Sequence, residues 1–338
     1  MKTHYDFTLN SVTQASGVTD SSVSRQLDAG LSSAGSSLDF SIIVAVYNDW
    51  ARLRECLRSL AQQMATASFE VIIVDDGSRE TAPEYISNWK NRYSLTIIRQ
   101  AHAGISTARN RGIQASKAPV LVFVDADCRL DLDCLRVLNR TVGASPEQHF
   151  LQLHLVGDCA NGSVGKAEQL RLMTLQNHFL QPNGVIRYLN AAGFAIRRNK
   201  VDIEAGLFDP IAIRAEDTLL LANLIRSGEL PLFVPGAIVQ HAVSLRLLPY
   251  LRKAMRSAYL EGRTFDIISS VGLGIRVSHR ERLNMLRLAW QFSADGNIGR
   301  LAWFILVARQ ALHWIARFSY QYLPNPRGSG SRILANCL

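Results

Sequence analysis

Between Phe40 and Cys128 the chain alternates short apolar runs with stretches of helical periodicity, and this alternation constrains the fold more than any other feature. The strand-like runs are FSIIVAVY, FEVIIVDDGS, LTIIRQ and PVLVFVDADC. The first helical stretch, DWARLRECLRSLAQQM, places four apolar residues at helical spacing, namely Leu53, Leu57, Leu60 and Met64. Continuous apolar strands that alternate with helices form parallel sheets buried on both faces. We therefore predict an α/β fold.

Local signals refine the helices of this alternation. Asp49 stands where the first helix needs an N-cap, and Ser106 does the same for GISTARNRGIQAS. Pro83 falls in the first turn of TAPEYISNWKNR, which predicts another helix there.

Polar side chains follow three of the predicted strands at the point where each strand ends. In open α/β sheets, ligands bind at the carboxyl ends of the strands. The sequence therefore predicts a ligand site at this edge, lined by Tyr47 and Asn48, by Asp75 and Asp76, and by Asp125 and Asp127.

The pair Asp125 and Asp127 is the most informative of these groups. Residues i and i+2 share a face of a strand, so the two carboxylates are expected to repel one another. A divalent cation beside them removes that cost, and hard oxygen ligands suit Mg²⁺ or Mn²⁺ bound to substrate phosphates. The alternative is that one of them caps the following helix near DLDCLRVL.

Three other classes of protein share part of this pattern. A receiver domain has paired acids after its first strand, whereas VIIVDDGS is the second strand here. A haloacid-dehalogenase phosphatase wants Thr or Val two residues after the second Asp, where this chain has Arg129. Dinucleotide binding wants G-x-G-x-x-G after a strand, and none is present.

Four motifs in series, SIIVAVYND, VIIVDDGS, AGISTARNRGI and VFVDADC, resemble the family 2 glycosyltransferases, inverting enzymes of the GT-A fold. The resemblance is strongest from Phe40 to about Cys128 and weaker to about Ser244, through NAAGFAIRRNKVDIEAGLFDP and RAEDTLLLANLIRSG. It implies a Rossmann-like, mostly parallel sheet flanked by helices.

The resemblance also implies roles for the residues that bind a nucleotide-diphospho-sugar donor. Asp75 or Asp76, preferably Asp76, would hold the base, and Tyr47 and Asn48 would line the base pocket. Asp76 could alternatively serve only the turn with Gly77.

The remaining donor residues implied by the resemblance lie on the next helix and in the D-x-D. Arg109 and Asn110 would face the nucleotide, although Arg109 could instead be a solvated helix residue. Asp127 would ligate Mn²⁺ or Mg²⁺, and Asp125 would reach the ribose or the sugar beside it.

The same resemblance points to a general base and to a third metal ligand. Inverting transfer needs a carboxylate that deprotonates the acceptor hydroxyl. In RAEDTLLL that residue would be Asp217, with Glu216 touching the acceptor or orienting the helix, although first-turn acids ordinarily serve the helix dipole. His241, after PLFVPGAIVQ, would complete the metal ligands or be structural.

Composition and charge divide the chain into three regions: a disordered tail over 1–38, a catalytic domain over 39–244 and a basic amphipathic helical region over 245–338. The Ser-rich tail lacks the apolar core of a signal peptide. From Arg246 onward there are 14 basic and 4 acidic residues, so the rest of the +9 chain carries −1. Because the body is not basic, nucleic acid is not an expected partner.

The last region mixes Arg with Trp, Phe and Leu, and its apolar run from Leu301 to Ala308 is too short to span a bilayer. It predicts an anchor on an anionic membrane surface, with a packed helical subdomain as the alternative. Five scattered cysteines without CxxC spacing are typical of reduced thiols. The expected location is cytoplasmic and peripheral, at the inner face of the cell membrane.

The sequence thus predicts a glycosyltransferase that moves a sugar from a nucleotide-sugar to a saccharide or lipid-linked acceptor. Two rivals remain open. One is a catalytically inactive sugar-nucleotide-binding subunit, and the other is a metal-dependent nucleotidyltransferase, which would release pyrophosphate.

Overall fold

The computed structural model describes residues 38–64, 67–242, 246–270, 277–294 and 296–322. The tail predicted over 1–38 lies outside the described residues except for Leu38. Within these ranges eight strands form one sheet: β1 (Phe40–Val46), β2 (Phe69–Asp75), β3 (Ser94–Arg99), β4 (Val120–Val124), β5 (Cys128–Leu130), β6 (Phe150–Gly157), β7 (Gly193–Arg197) and β8 (Leu232–His241).

The sheet has the order β3-β2-β1-β4-β7-β6-β8-β5. Strands β1 to β4 run parallel, with β1 between β2 and β4, which confirms the predicted parallel half. Beyond β4 the sheet becomes mixed, because β7 is antiparallel to both β4 and β6, and β5 is antiparallel to β8. The parallel half therefore gathers the ends of β1, β2 and β4 at one edge.

Helices cover both faces of the sheet and continue beyond it: α1 (Trp50–Ala61), α2 (Ile105–Ala115), α3 (Cys134–Ala144), α4 (Gly162–Phe179), α5 (Glu216–Arg226), α6 (Leu247–Ser270), α7 (His279–Phe292) and α8 (Arg300–Tyr322). Side-chain alternation along β1 divides the core between the two faces. Ile42 and Val44 join the cluster that contains Leu53 and Leu57 of α1. Ile43 joins the opposite cluster, with α2 and α5.

The C-terminal helices pack around α4 and share a hydrophobic core with it. That core contains Ala167 and Leu170 of α4, Tyr250 of α6, and Ile305 and Leu306 of α8. Within the described ranges, no helix combines the length and apolarity that crossing a membrane requires.

The helix predicted around Pro83 is confirmed as a 3₁₀ helix, Glu84–Asn91, with Pro83 as its N-cap rather than in its first turn. The expectation that Ser106 caps α2 is wrong. Gly104 is the N-cap of α2, while Ser106 lies inside the helix with its hydroxyl 3.4 Å from the carbonyl oxygen of Ala212. Gly104 has a φ of 94°, a conformation that a residue with a Cβ rarely adopts.

The predicted cap of α1 is confirmed only in position. Asp49 is the N-cap residue, but its side chain makes no capping hydrogen bond. Its Oδ1 instead accepts a 2.8 Å hydrogen bond from Nε of Arg52.

Candidate functional site

The site begins where β1 and β2 end side by side, with Val46 paired to Asp75. Tyr47 follows β1 and is 46% exposed. Its ring stacks on His102 with centroids 4.2 Å apart and planes 20° from parallel. An exposed aromatic pair of this kind offers a flat stacking surface at the predicted base pocket.

Asn48 holds the turn after β1 to the turn after β2. Its backbone N–H donates to Ser78 Oγ at 2.9 Å, and its Oδ1 accepts from the Arg79 N–H at 2.8 Å. The φ of Asn48 is 53°, an uncommon value for a residue other than glycine. Asn48 therefore shapes the wall of the pocket through hydrogen bonds of its backbone N–H and its side-chain oxygen.

Asp75 and Asp76 are both buried and organise the loops around them. Asp75 Oδ1 accepts from the Ser78 N–H at 2.9 Å. Asp76 accepts from the N–H groups of Ala103 and Gly104, each at 2.9 Å, one on each carboxylate oxygen. The Asp76 carboxylate thus holds the segment from His102 to the start of α2 against the end of β2.

The D-x-D does not lie on a strand. Asp125 to Asp127 form the turn between β4 and β5, with the Cys128 N–H donating to the Asp125 carbonyl at 3.0 Å. The expectation that Asp125 and Asp127 share one face of a strand is therefore wrong. Each pairs with its own cation, because Arg109 Nη2 lies 2.7 Å from Asp125 Oδ1 and Arg52 Nη1 lies 3.4 Å from Asp127 Oδ2.

Arg109 is the buried centre of this site. Its guanidinium joins Asp125 at 2.7 Å and Glu216 at 2.5 Å, and only 4% of the side chain is exposed. The alternative of a solvated helix residue is therefore wrong. Burial disfavours the cation, but the two carboxylates raise the pKa of Arg109, which keeps the group charged.

Asn110 faces the loop before α5. Its Oδ1 accepts from the N–H groups of Leu207 and Phe208, each at 3.0 Å, and its Nδ2 donates to the Phe208 carbonyl at 2.6 Å. These contacts use both polar atoms of the side chain, so the observed position of Asn110 is a structural one.

Glu216 and Asp217 open α5 in different environments. Glu216 is buried against Arg109, whereas Asp217 accepts from the Thr218 N–H at 2.7 Å. Burial and the negative charge of Glu216 raise the pKa of Asp217 to about 7, although the positive charge of Arg109 acts in the opposite direction.

The backbone before this pair is constrained. Ala215, the N-cap of α5, has a φ of 60° and a ψ of 35°. Among the described residues, Asn48 and Ala215 are the two non-glycine residues with positive φ, and both border this site. Such outliers are enriched at functional sites, where the surrounding structure holds them in place.

His241 ends β8 opposite Cys128, which brings it beside the D-x-D turn. Its Nε2 lies 3.5 Å from Asp127 Oδ2, and its Nδ1 lies 3.5 Å from Glu168 Oε1. Burial lowers the pKa of His241, but the carboxylates of Asp127 and Glu168 outweigh it and raise the pKa to about 9.

Burial likewise opposes ionisation of Asp127, yet His241, Lys253 and Arg52 lower its pKa to about 2.

The donor chemistry of Asp127 and His241 fits a divalent metal. A carboxylate oxygen and an imidazole nitrogen converge from two different strand ends, and both are ligand types that Mn²⁺ accepts. In the described part of the chain, no three His, Cys, Asp or Glu side chains form a metal site by themselves. A metal held here would thus need further ligands, and ions of this class commonly take them from substrate phosphates and water.

Two residues of the site carry no sequence signal that reveals them. His102 follows β3 in a loop and looks like any exposed polar residue. Glu168 forms an i,i+3 pair with Arg171 on α4, a pattern that usually marks a solvated helix face, yet Glu168 is 3% exposed.

A sheet with four parallel strands, a mixed second half and carboxylates at the strand ends defines a GT-A fold. A solved structure supports this class: the mannosyltransferase PcManGT from Pyrobaculum calidifontis, in complex with GDP-Man and Mn²⁺, superposes with a TM-score of 0.51. The alignment covers 89% of this chain and 79% of that chain, at 16% sequence identity. At this identity the likeness establishes the fold alone.

Residues 41–202 match the model of glycosyl transferase family 2, so the chain carries a domain of that family. EpsH of Bacillus subtilis (strain 168) is 35% identical over 106 residues, which are 30% of this chain and 30% of EpsH. YibD of Escherichia coli (strain K12), described as an uncharacterized glycosyltransferase, is 40% identical over 88 residues, or 26% of this chain and 25% of YibD. The chain thus aligns with less than a third of the length of these curated relatives.

Proposed function

We propose that the protein is an inverting glycosyltransferase that moves a sugar from a nucleotide-diphospho-sugar to a hydroxyl acceptor, in polysaccharide or glycolipid synthesis. The observation that carries this proposal is the difference between two adjacent carboxylates. Glu216 is ion-paired with Arg109, while Asp217 has a pKa of about 7. A carboxylate whose pKa lies near the working pH is suited to remove a proton during a reaction.

In the proposed reaction, Asp217 accepts the proton of the acceptor hydroxyl as that oxygen attacks the anomeric carbon. The bond between the anomeric carbon and the diphosphate oxygen breaks on the opposite face, so the configuration inverts. Glu216 and Arg109 hold the first turn of α5 in place through their buried ion pair.

The donor would lie across the ends of β1, β2 and β4. We assign the base to the surface made by Tyr47 and His102, beside the buried carboxylates of Asp75 and Asp76. Asp125, with 31% of its side chain exposed, is available to the ribose or sugar. Asp127 and His241 would hold Mn²⁺ or Mg²⁺, which supplies counter-charge for the departing diphosphate. PcManGT, of the same fold, was solved with GDP-Man and Mn²⁺.

A panel of nucleotide-sugars, assayed with Mn²⁺, with Mg²⁺ and with EDTA, tests this proposal. We expect metal-dependent release of a nucleoside diphosphate from at least one donor. We also expect Asp127→Ala to abolish metal-dependent donor binding, because the diphosphate loses a ligand of its counter-ion. Release of pyrophosphate would indicate a nucleotidyltransferase, and donor binding without any release would indicate an inactive subunit.

We also propose an anionic membrane surface as a partner, on the basis of an exposed apolar stripe along α8. The stripe consists of residues spaced three and four apart, namely Leu301, Phe304, Ala308, Ala311, Ile315 and Phe318. Its four large side chains are 57–61% exposed. At 1.5 Å per residue the stripe extends over roughly 26 Å.

Charge favours a membrane over a second copy of the chain as the occupant of this stripe. The described residues from Val277 to Tyr322 include six arginines and one acidic residue, Glu281. Two copies brought face to face would repel, whereas an anionic leaflet attracts each nearby basic residue by about 1 kcal/mol. Leu283 and Trp290 of α7 add exposed apolar area beside Arg287.

Sedimentation with vesicles tests the membrane proposal. The protein should pellet with vesicles of phosphatidylcholine and phosphatidylglycerol, less so at high salt, and not with phosphatidylcholine alone. The double variant Phe304→Ser/Phe318→Ser should bind about tenfold more weakly, because less apolar area enters the headgroup region. Leu132→Ser is the matched control, since Leu132 is 51% exposed outside α6, α7 and α8. Equal pelleting of parent and double variant would refute the role of the stripe, and a dimer in solution that the double variant abolishes would assign it to a second copy.

A further inference from the structure

Glu168 lies in α4 at the contact between the C-terminal helices and the candidate metal site. Only 3% of the residue is exposed, so its charge must be balanced by neighbours. Arg171 supplies that charge through two hydrogen bonds, from Nε to Oε2 at 2.9 Å and from Nη2 to Oε1 at 2.6 Å. The hydroxyl of Tyr250, in α6, donates to Oε2 at 3.0 Å.

The third neighbour of this carboxylate is His241, whose Nδ1 lies 3.5 Å from Oε1. The other ring nitrogen, Nε2, lies 3.5 Å from Asp127 Oδ2. The imidazole is therefore held between a buried carboxylate on one side and the D-x-D turn on the other. This arrangement fixes which nitrogen faces the candidate metal site.

We propose that Glu168 is a positioning residue that orients His241 toward Asp127, and that Tyr250 holds Glu168 in the geometry this requires. A carboxylate that accepts the second ring N–H of a ligating histidine fixes the tautomer and the ring orientation, and leaves the first nitrogen's lone pair for the metal. The inference rests on the proposed role of Asp127 and His241 and extends it to residues on α4 and α6.

The pattern of contacts assigns Glu168 to this role rather than to direct ligation. Both of its oxygens already accept hydrogen bonds from Arg171, and Oε2 accepts a further one from Tyr250. Because Tyr250 belongs to α6, the C-terminal helices become part of the apparatus that shapes the site. Loss of the Tyr250 hydroxyl would loosen one restraint and leave the ion pair with Arg171 intact.

Binding of Mn²⁺ and of UDP to the full-length protein tests the inference. We would measure Mn²⁺ affinity by the loss of its free-ion electron paramagnetic resonance signal, and UDP affinity by calorimetry with and without Mn²⁺. Glu168→Gln should weaken Mn²⁺ binding by roughly 10- to 100-fold, and Tyr250→Phe by a smaller factor in the same direction. UDP affinity without metal should stay within about twofold of the parent, because the base surface is not touched.

Glu55→Gln is the matched control, because Glu55 pairs with Arg58 at the same i,i+3 spacing in an exposed position. It should leave Mn²⁺ affinity unchanged. Thermal melting of all variants separates loss of fold from loss of orientation, and Tyr250→Phe keeps the test valid if Glu168→Gln melts early.

Parental Mn²⁺ affinity in both Glu168→Gln and Tyr250→Phe would overturn the inference. So would an equal loss of metal-free UDP affinity, which would indicate a general structural defect. Either result leaves the proposed function standing as long as the parent releases a nucleoside diphosphate from its donor. Absence of that release would instead count against the proposed function itself.

Discussion

At the scale of single residues, the buried ion pairs around Arg109 divide the carboxylates of the site into two kinds. Asp125 and Glu216 each form an ion pair with the guanidinium of Arg109. Asp217 has no such direct pairing and its pKa is raised, by burial first and then by the charge of Glu216. Ionising such a carboxyl is energetically unfavourable, and a pKa raised in this way is typical of a general base that works near neutral pH.

The pH dependence of activity should report Asp217. Because the base must be ionised, kcat/KM should rise from pH 5.5 to 8 with a midpoint near the pKa of about 7. Steady-state kinetics on the donor identified by the panel provide the measurement. A profile that is flat through this range, on a stable protein, would assign the base to another group.

Stability should show the opposite trend with pH. The folded pKa of Asp217 is raised from 3.8 to about 7, so its contribution is fully present below about pH 4 and declines as pH rises through 7. Asp217→Asn removes this decline. Its melting temperature should match the parent at pH 4 and exceed it by a few degrees at pH 8. A variant that is less stable than the parent at pH 8 would contradict the raised pKa.

Several residue types and positions in this site were predictable from sequence, but their partners were not. The strand-end positions of Asp75, Asp76, Asp125 and Asp127 followed from the apolar runs before them. The burial of Arg109 did not, because its partners Asp125 and Glu216 are 16 and 107 residues away along the chain. Pairings over such separations depend on how strands and helices pack.

At the scale of elements, α4 shows why one helix of the site gave no sequence signal. An amphipathic stripe marks a helix with one face in water. Helix α4 lies between the sheet and the C-terminal helices and buries residues all around, including Glu168, Thr174 and Gln176. Its apolar and polar residues therefore show no single periodic face, unlike those of α1.

The close approach of α4 to β6 gives a test at this scale. A Cβ on Gly157 would lie 2.7 Å from Cα of Gln169 and would also collide with the Gln169 backbone nitrogen. Gly157→Ala should therefore push α4 from the sheet, at a cost of about 1–3 kcal/mol, and lower the melting temperature by several degrees.

Gly143→Ala in α3 is the control for this substitution. A Cβ there meets nothing within 4 Å, so the change should be neutral or slightly stabilising. Equal melting temperatures for Gly157→Ala and the parent would show that α4 can shift without cost.

At the scale of the whole molecule, the C-terminal helices are joined to the catalytic part by a shared core. Tyr250, Ile305 and Leu306 pack with Ala167 and Leu170, and Ile268 of α6 packs with Leu219 of α5. The sequence left open whether this region packs or binds membrane. The structure shows that it packs, while the exposed face of α8 keeps the membrane proposal open.

Truncation after residue 245 should consequently destabilise what remains. It would expose the apolar side chains of α4 and α5 and remove the Tyr250 hydroxyl from Glu168. We expect aggregation or a melting temperature at least 10 °C lower, because exposing apolar surface to water costs roughly 25 cal/mol for each Å². A truncated protein that melts like the parent would show that residues 38–242 fold alone.

The most direct test of the central proposal compares the parent with Asp217→Asn in one experiment. Donor affinity in the presence of Mn²⁺ should agree within about twofold, because Asp217 lies outside the base surface and the candidate metal ligands. Release of nucleoside diphosphate during transfer should fall by roughly 10²- to 10⁴-fold, the range for loss of a general base. A variant that turns over near the parental rate would contradict the assignment of Asp217 and with it the proposed mechanism.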